Sequence, residues 1–302
     1  MNAKDIFGIK DLSKSEIVEI LTEADGMREL IDMGERTTDL RGKNVATLFY
    51  ENSTRTRNSF DLAAKNLGAT TTSVGVATSS VQKGESLIDT GKTLDSIGMD
   101  AIIIRHPVAG APRLLAQNVS ASVLNAGDGM NEHPSQALLD VMTAKRHFGA
   151  LNGLKVAIIG DILHSRVARS DTLCFTKLGA AVTVCAPYTL LPVGMEDMGA
   201  KVETDIDRAI DGADIVMPLR IQKERMDKAY FPTIEEYHRY YGVTEERLAN
   251  AGGDCIVMHP APINREAEIS GDVADGYRSV IYEQVKNGVA VRMALLKLLV
   301  RR

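Results

Sequence analysis

The stretch NVATLFYENSTRTRNSFDLAAKNLG, residues 44–68, decides the fold class. Asn44 to Tyr50 is a short, mostly apolar run that reads as a buried strand, and Thr54 to Leu67 reads as a helix ended by Gly68. A strand that passes through a brief polar loop into a helix is the repeating unit of an α/β protein. The neighbouring sequence repeats it. Ala101 to Arg105 and Ser122 to Asn125 read as strands, and a helix over Pro134 to Phe148 ends at Gly149. Upstream, Ser13 and Glu16 form a capping box for a first helix whose apolar face is Ile17, Ile20, Leu21 and Ala24.

A second series begins after Gly153. Lys155 to Ile159, Val182 to Cys185, Asp214 to Pro218 and Cys255 to Met258 read as buried strands. Helical stretches such as Arg166 to Leu178 and Ile206 to Ala213 lie between them. Alternation of this kind predicts parallel sheets covered by helices. Two series predict an α/β chain of two domains, each a parallel β-sheet flanked by helices. The expected division is residues 1–134 plus 283–302, and residues 135–282. The closing helix, expected from Arg278 onward, carries Leu295, Leu296, Leu298 and Leu299 and is assigned to the first domain.

The 302 residues and net charge of −5 argue against a nucleic-acid-binding or membrane-surface protein. Met1 to Lys10 lacks the apolar core of a signal peptide, and no apolar run has the length of a membrane span, so a cytoplasmic protein is expected. Cys174, Cys185 and Cys255 form no CxxC pair, and Cys185 and Cys255 sit in strand-like apolar runs. They read as core residues rather than disulfides or zinc ligands. No metal site is expected.

The loop Ser53-Thr54-Arg55-Thr56-Arg57 carries the strongest chemical signal. The first N–H groups of a helix have no internal partners, so a phosphate placed there can accept them. Hydroxyls of Ser53, Thr54 and Thr56 add donors, and Arg55 adds a planar fork that matches phosphate oxygens. The same residues would also serve as an ordinary capped helix with two solvated arginines. Arg105 ends a second strand, where ligands of parallel sheets collect, though a lone arginine there also suits a plain surface. His133 and Gln136, three residues apart after Gly127-Asp128-Gly129, share one helix face; His133 could equally be a simple cap. Ser79, Ser80 and Lys83 lie in a polar loop that by itself is unremarkable in composition. In the second series, Arg166 follows Gly160-Asp161, and Arg220 and Gln222 end a strand. Such a set could hold a dicarboxylate or consist of unrelated surface side chains.

Several motifs are missing from the sequence. Gly160 has no GxGxxG around it, and there is no GxxxxGK[ST] and no GxSxG. A nicotinamide-dependent enzyme of the same fold class is therefore weakly supported, and a P-loop nucleotide hydrolase is not supported.

Four segments together resemble the aspartate/ornithine carbamoyltransferase family over nearly the whole chain. They are Phe-Tyr-Glu-Asn-Ser-Thr-Arg-Thr-Arg at 49–57, Arg105-His106-Pro107, Gly127-Asp128-Gly129 with His133-Pro134-Ser135-Gln136, and Met258-His259-Pro260-Ala261-Pro262. The turn His259 to Pro262 and the strand end Pro218-Leu219-Arg220-Ile221-Gln222 resemble the aspartate branch; ornithine enzymes typically carry His-Cys-Leu-Pro and Ser-Met-Gly. Ser135 stands where Thr is usual, and Glu132 where Gln is frequent.

The resemblance implies transfer of a carbamoyl group from carbamoyl phosphate to L-aspartate, in de novo pyrimidine biosynthesis, with no cofactor. It implies that Ser53, Thr54, Arg55, Thr56 and Arg105 bind the phosphate. Thr56, Arg105 and His133 would take the carbamoyl oxygen, and Gln136 the amide. Ala261 and Pro262 would offer backbone groups to the ligands, and Arg166, Arg220 and Gln222 would hold the aspartate carboxylates. It also implies a homotrimer with shared active sites, Lys83 reaching into a neighbour's site to aid binding and catalysis. It leaves open whether regulatory or dihydroorotase chains attach. A catalytically dead relative acting as a scaffold would normally have lost phosphate ligands that this chain retains.

Overall fold

The computed structural model describes residues 3–75, 84–222, 225 and 230–300. Contacts group them into two compact units, Met1–Leu139 with Lys286–Arg302, and Asp140–Val285. Each is considered separately.

The first unit is built on β1 (Asn44–Phe49), β2 (Thr70–Gly75), β3 (Ala101–His106) and β4 (Ser122–Asp128), all parallel, in spatial order β2-β1-β3-β4. Its helices include α1 (Lys14–Met33), α2 (Thr54–Asn66), α3 (Leu87–Ser96), α4 (Ala111–Ala116) and the start of α5 (Pro134–Phe148). Ile102, Ile103 and Ile104 are fully buried, so both faces of β3 are covered. Each such side chain contributes about 1.5–3 kcal/mol by leaving water. On one face, Ala46, Leu48, Ile102, Ile104 and Val123 pack with Leu94 of α3 and Leu115 of α4. The capping box expected on α1 is present: Ser13 Oγ accepts from Glu16 N at 3.2 Å, and Glu16 Oε2 accepts from Ser13 N at 3.0 Å.

The second unit contains β5 (Lys155–Gly160), β6 (Ala181–Cys185), β7 (Ala200–Glu203), β8 (Ile215–Leu219) and β9 (Ile256–Val257), again all parallel, in order β7-β6-β5-β8-β9. Its helices are the end of α5, α6 (Arg166–Lys177), α7 (Ile206–Ile210), α8 (Ile234–Tyr241), α9 (Glu245–Leu248), α10 (Gly271–Ala274) and the start of α11 (Ile281–Val300). Ala157, Ile159, Val216 and Val257 pack against Ile206 and Ile210 of α7 and Leu248 of α9. The three cysteines are buried. Burial pushes the Cys185 thiol up to about 12 and the Cys255 thiol to about 11, which keeps both protonated and inert.

The closing helix begins at Ile281, later than expected, because Ser279 still bridges Val257 beside the sheet. Strand β4 runs to Asp128, past the expected Asn125, because after a register shift Asp128 still pairs with His106 of β3.

Candidate active site

In an open parallel sheet the loops after adjacent strands diverge where the strand order reverses, and ligands settle in the crevice there. In the first unit the reversal falls between β1 and β3, which flank each other while β2 lies beyond β1. The loop after β1 carries Ser53–Arg57, and β3 ends on Arg105 and His106. Phe49 and Arg105 are paired in register, so the two segments start from the same level of the sheet.

Helix α2 differs from the other well-capped helices. Serines or threonines cap α1, α3, α6, α8 and α9, but Ser53 makes no side-chain cap hydrogen bond to α2, and no acid lies in its first turn. Its opening amides are therefore not covered by its own side chains, as an anion site requires. Thr56 is buried in this first turn, while Thr54 and Arg55 are exposed. From behind, Arg292 of α11 secures the helix: its Nη1 donates to Ser59 Oγ at 2.9 Å and its guanidinium lies 5.0 Å from the Phe60 ring centre.

Arg105 is oriented by Glu51, with Nε 3.3 Å from Oε2. His106 packs its ring against Tyr50, 4.6 Å between centres, and its Nδ1 accepts from Val108 N. Burial lowers the tendency of His106 to take up a proton. Next, Gly129 folds the chain back after β4. Its φ is +52°, and a Cβ there would meet the carbonyl oxygen of Pro107 at 2.7 Å, so no larger residue fits without a shift. Asp128 organises this turn, accepting from Gly110 N at 2.8 Å and from Asn125 Nδ2 at 2.8 Å. His133, Ser135 and Gln136 follow, all buried at the start of α5. The carboxylate of Glu132 accepts from Ile9 N at 2.6 Å and Lys10 N at 3.3 Å, a reason for an acid at this position. The first group of expected residues thus converges on the carboxyl ends of β1, β3 and β4, which are neighbours in the sheet.

In the second unit the strand order reverses between β5 and β8. Arg166 opens α6 after β5 and is buried. Arg220 and Gln222 follow β8, and Arg220 Nη2 donates to Gln222 Oε1 at 3.0 Å. The buried carboxylate of Asp161 couples the two loops. One oxygen lies 2.8 Å from His164 Nδ1, and the other accepts from Gln222 N at 3.0 Å. Gly160, with φ of +129°, leads into this loop, and a Cβ there would meet Leu219 O at 2.8 Å.

The turn after β9 is held at both ends. Ala261 N donates to His259 Nδ1 at 2.8 Å, which places the ring proton on Nε2. That nitrogen lies 3.2 Å from Glu268 Oε1, which also accepts from Asn264 N at 2.6 Å. Ala261 has φ of +51°, and the Ala261–Pro262 peptide is cis. His259, fully engaged and buried, anchors the turn on which Ala261 and Pro262 sit. Arg166, Arg220, Gln222 and this turn therefore follow β5, β8 and β9, again adjacent strands.

Ser79, Ser80 and Lys83 lie outside the described residues. The sequence reading assigns no role to Glu51, Asp128, Asp161 or Glu268, although the first three lie inside quoted segments. An acid that orients another side chain carries no signature of that role, and one partner of each of the first three is distant in sequence: Arg105 for Glu51, Gly110 for Asp128 and Gln222 for Asp161. Among the described residues, no cluster of three or more His, Cys, Asp or Glu could hold a metal ion, and no helix is long and apolar enough to cross a membrane.

Residues 4–146 match the family model for the carbamoyl-P binding domain of aspartate/ornithine carbamoyltransferase, and residues 152–299 match its Asp/Orn binding domain. The aspartate carbamoyltransferase catalytic subunit of Ruminiclostridium cellulolyticum is 56% identical over 303 aligned residues, covering 100% of this chain and 97% of the relative. That of Acetivibrio thermocellus is 55% identical with the same coverage. Among solved structures, Trypanosoma cruzi aspartate transcarbamoylase in complex with N-(phosphonacetyl)-L-aspartic acid superposes with a TM-score of 0.88. It is 31% identical, with 97% of this chain and 94% of that one covered. Ornithine carbamoyltransferase from Thermus thermophilus also gives 0.88, at 25% identity over 99% and 100%. With both family domains matched in order along the backbone that carries the phosphate-type and carboxylate-type loops, the chain belongs to the aspartate/ornithine carbamoyltransferase family.

Proposed function

We propose that the chain transfers the carbamoyl group of carbamoyl phosphate to the amine of L-aspartate, giving N-carbamoyl-L-aspartate and phosphate. The observation that carries this reading is the pairing of two kinds of site on two sheets. One is an uncapped helix N-terminus with Arg55 and Arg105 nearby in the fold; the other presents Arg220 and Gln222 hydrogen-bonded together after β8. The first suits a phosphate. The second suits a dicarboxylate better than ornithine, whose side chain is a cation that an arginine would repel.

In this reading the unit around β1–β4 takes carbamoyl phosphate and the unit around β5–β9 takes aspartate. Ser53, Thr54, Arg55, Thr56 and Arg105 bind the phosphate. The amine attacks as the neutral species, and negative charge grows on the carbamoyl oxygen. Thr56, Arg105 and His133 donate to that oxygen, and preorganised donors lower the barrier. Gln136 holds the carbamoyl amide. Pro262 has no N–H, so the backbone group it offers is a carbonyl, an acceptor for an N–H of either substrate. The departing phosphate accepts the proton released by the amine. Arg166, Arg220 and Gln222 hold the aspartate carboxylates, and bringing both substrates together supplies much of the remaining acceleration. The reaction would proceed in the cytoplasm as a step of pyrimidine biosynthesis.

Binding calorimetry tests this arrangement. N-(phosphonacetyl)-L-aspartate, which carries a phosphonate and two carboxylates on one skeleton, should bind at one per chain and be displaced by carbamoyl phosphate. Binding of phosphate with no gain in affinity from the dicarboxylate would leave the second site without a role.

The proposal includes a homotrimer whose sites are shared, with Lys83 acting in a neighbour's site. Trimers of Lys83→Ala and of Arg105→Ala, dissociated, mixed equally and reassembled, should recover about a quarter of native sites. If Lys83 served its own subunit, every site would lack one group, and mixing would recover nothing.

A further inference from the structure

The second unit buries two carboxylates that the reaction does not use. Asp140 on α5 and Asp171 on α6 are both fully buried. Among the described residues, no N–H or O–H group donates to either oxygen of Asp171, and its interacting neighbour is the Asp140 carboxylate. Two bare carboxylates side by side in a dry interior would repel each other strongly, and each would also lack its hydration. They are stable together when one proton lies between them, making one a donor to the other.

The pair does not end there. Asp140 Oδ1 accepts from Gln284 Nε2 of α11 at 2.6 Å. The other end of that amide, Gln284 Oε1, accepts from the backbone N–H of His259 at 2.8 Å. An amide whose NH₂ is bound to a carboxylate has its carbonyl fixed in direction, so the Asp140 anion settles which way Gln284 faces. The chain runs from Asp171 through Asp140 and Gln284 to the first residue of the turn, linking α6, α5 and α11.

We propose that Asp171, as a neutral acid, donates its proton to Asp140, and that this pair positions the His259–Pro262 turn through Gln284. Asp140, Asp171 and Gln284 are positioning residues; none is assigned a contact with substrate. Burial, together with the adjacent Asp140 charge, raises Asp171 well above the usual carboxylate range, in keeping with the neutral state. The effect on the reaction rests on the reading above, in which the backbone of Ala261 and Pro262 serves the substrates.

Three full-length variants test the network: Gln284→Met, Asp171→Ala and Asp171→Asn. Gln284→Met keeps the bulk of the side chain and removes both hydrogen bonds. Asp171→Asn keeps a donor toward Asp140 without a titratable proton. Amide hydrogen exchange at His259, Ala261 and Asn264 reports the turn directly, and kcat and KM for aspartate report its use. Gln284→Met should speed exchange at His259 by about tenfold, as expected for losing a hydrogen bond in a charged network. Catalytic efficiency with aspartate should fall with it, while inorganic phosphate binding to the first unit stays native. Asp171→Ala should behave like Gln284→Met, and Asp171→Asn should restore native exchange and efficiency. Native exchange in Gln284→Met would overturn the network. So would an Asp171→Asn variant as disturbed as Asp171→Ala, because the aspartate would then be acting as an anion. If Asp171→Ala does not fold, Gln284→Met and Asp171→Asn still decide the matter. Accelerated exchange with undiminished turnover would uphold the network and instead overturn the role given to the turn in the reaction.

Discussion

Arg55→Ala should nearly abolish turnover and leave the fold unchanged. Arg55 stands exposed in the first turn of α2, a helix that begins without a side-chain cap and without an acid. A guanidinium there meets phosphate oxygens in a fork of charge-assisted hydrogen bonds, each contributing about 1.5–3 kcal/mol. Losing two such bonds as charge leaves on the phosphate costs about 3–6 kcal/mol, or roughly 10²- to 10⁴-fold in kcat/KM. Stability should change by only about 0.5 kcal/mol, since the position is exposed and alanine favours the helix. Steady-state kinetics and thermal unfolding of the same sample check both halves. Turnover within tenfold of the parent in a folded variant would mean that the phosphate does not sit at α2.

Arg220→Ala should separate the two substrates. Arg220 Nη2 is bonded to Gln222 Oε1, and the Gln222 backbone is held by Asp161, so these contacts tie the pair into the second unit. Removing the guanidinium takes away charge-assisted bonds to a carboxylate and frees the Gln222 side chain. The KM for aspartate should rise by about 10- to 100-fold, with a drop in kcat as the amine is less well aimed. Carbamoyl phosphate affinity, measured calorimetrically without aspartate, should stay within about twofold, because the change lies outside the unit assigned to it. A comparable loss of carbamoyl phosphate binding would overturn the division of labour between the units.

The sequence showed some parts of this molecule clearly and others hardly at all, for physical reasons. Central strands β1, β3, β5 and β8 were visible because both faces are buried, which demands continuous apolar runs such as Ile102-Ile103-Ile104. The edge strands β2 and β7 were missed. Thr70–Gly75 is largely exposed or half-buried and polar, since an edge strand need not be apolar. Helix α3, Leu87–Ser96, was missed because its buried face is small, with only Thr90, Gly91 and Leu94. The loop Ser53–Arg57 stands out in the sequence as a candidate phosphate site because its residues are consecutive and lie beside a strand end. The carboxylate-type set was legible only as separate cations. That Asp161 ties the loop of Arg220 and Gln222 to that of Arg166 depends on β5 lying next to β8, a pairing no local pattern records. Glu132 looked like a departure from the family pattern; its role, accepting the main-chain N–H groups of Ile9 and Lys10, joins segments far apart in sequence.

The central claim is that carbamoyl is transferred to aspartate, and a single product measurement bears on it most directly. The purified chain is incubated with carbamoyl phosphate labelled at the carbamoyl carbon and with equal concentrations of aspartate and ornithine, and the products are followed by carbon NMR. The account predicts that the label appears in N-carbamoyl-L-aspartate, with phosphate released in equal amount and no citrulline, and that Arg55→Ala suppresses the signal. Label in citrulline, or phosphate released without any carbamoylated amine, would contradict it.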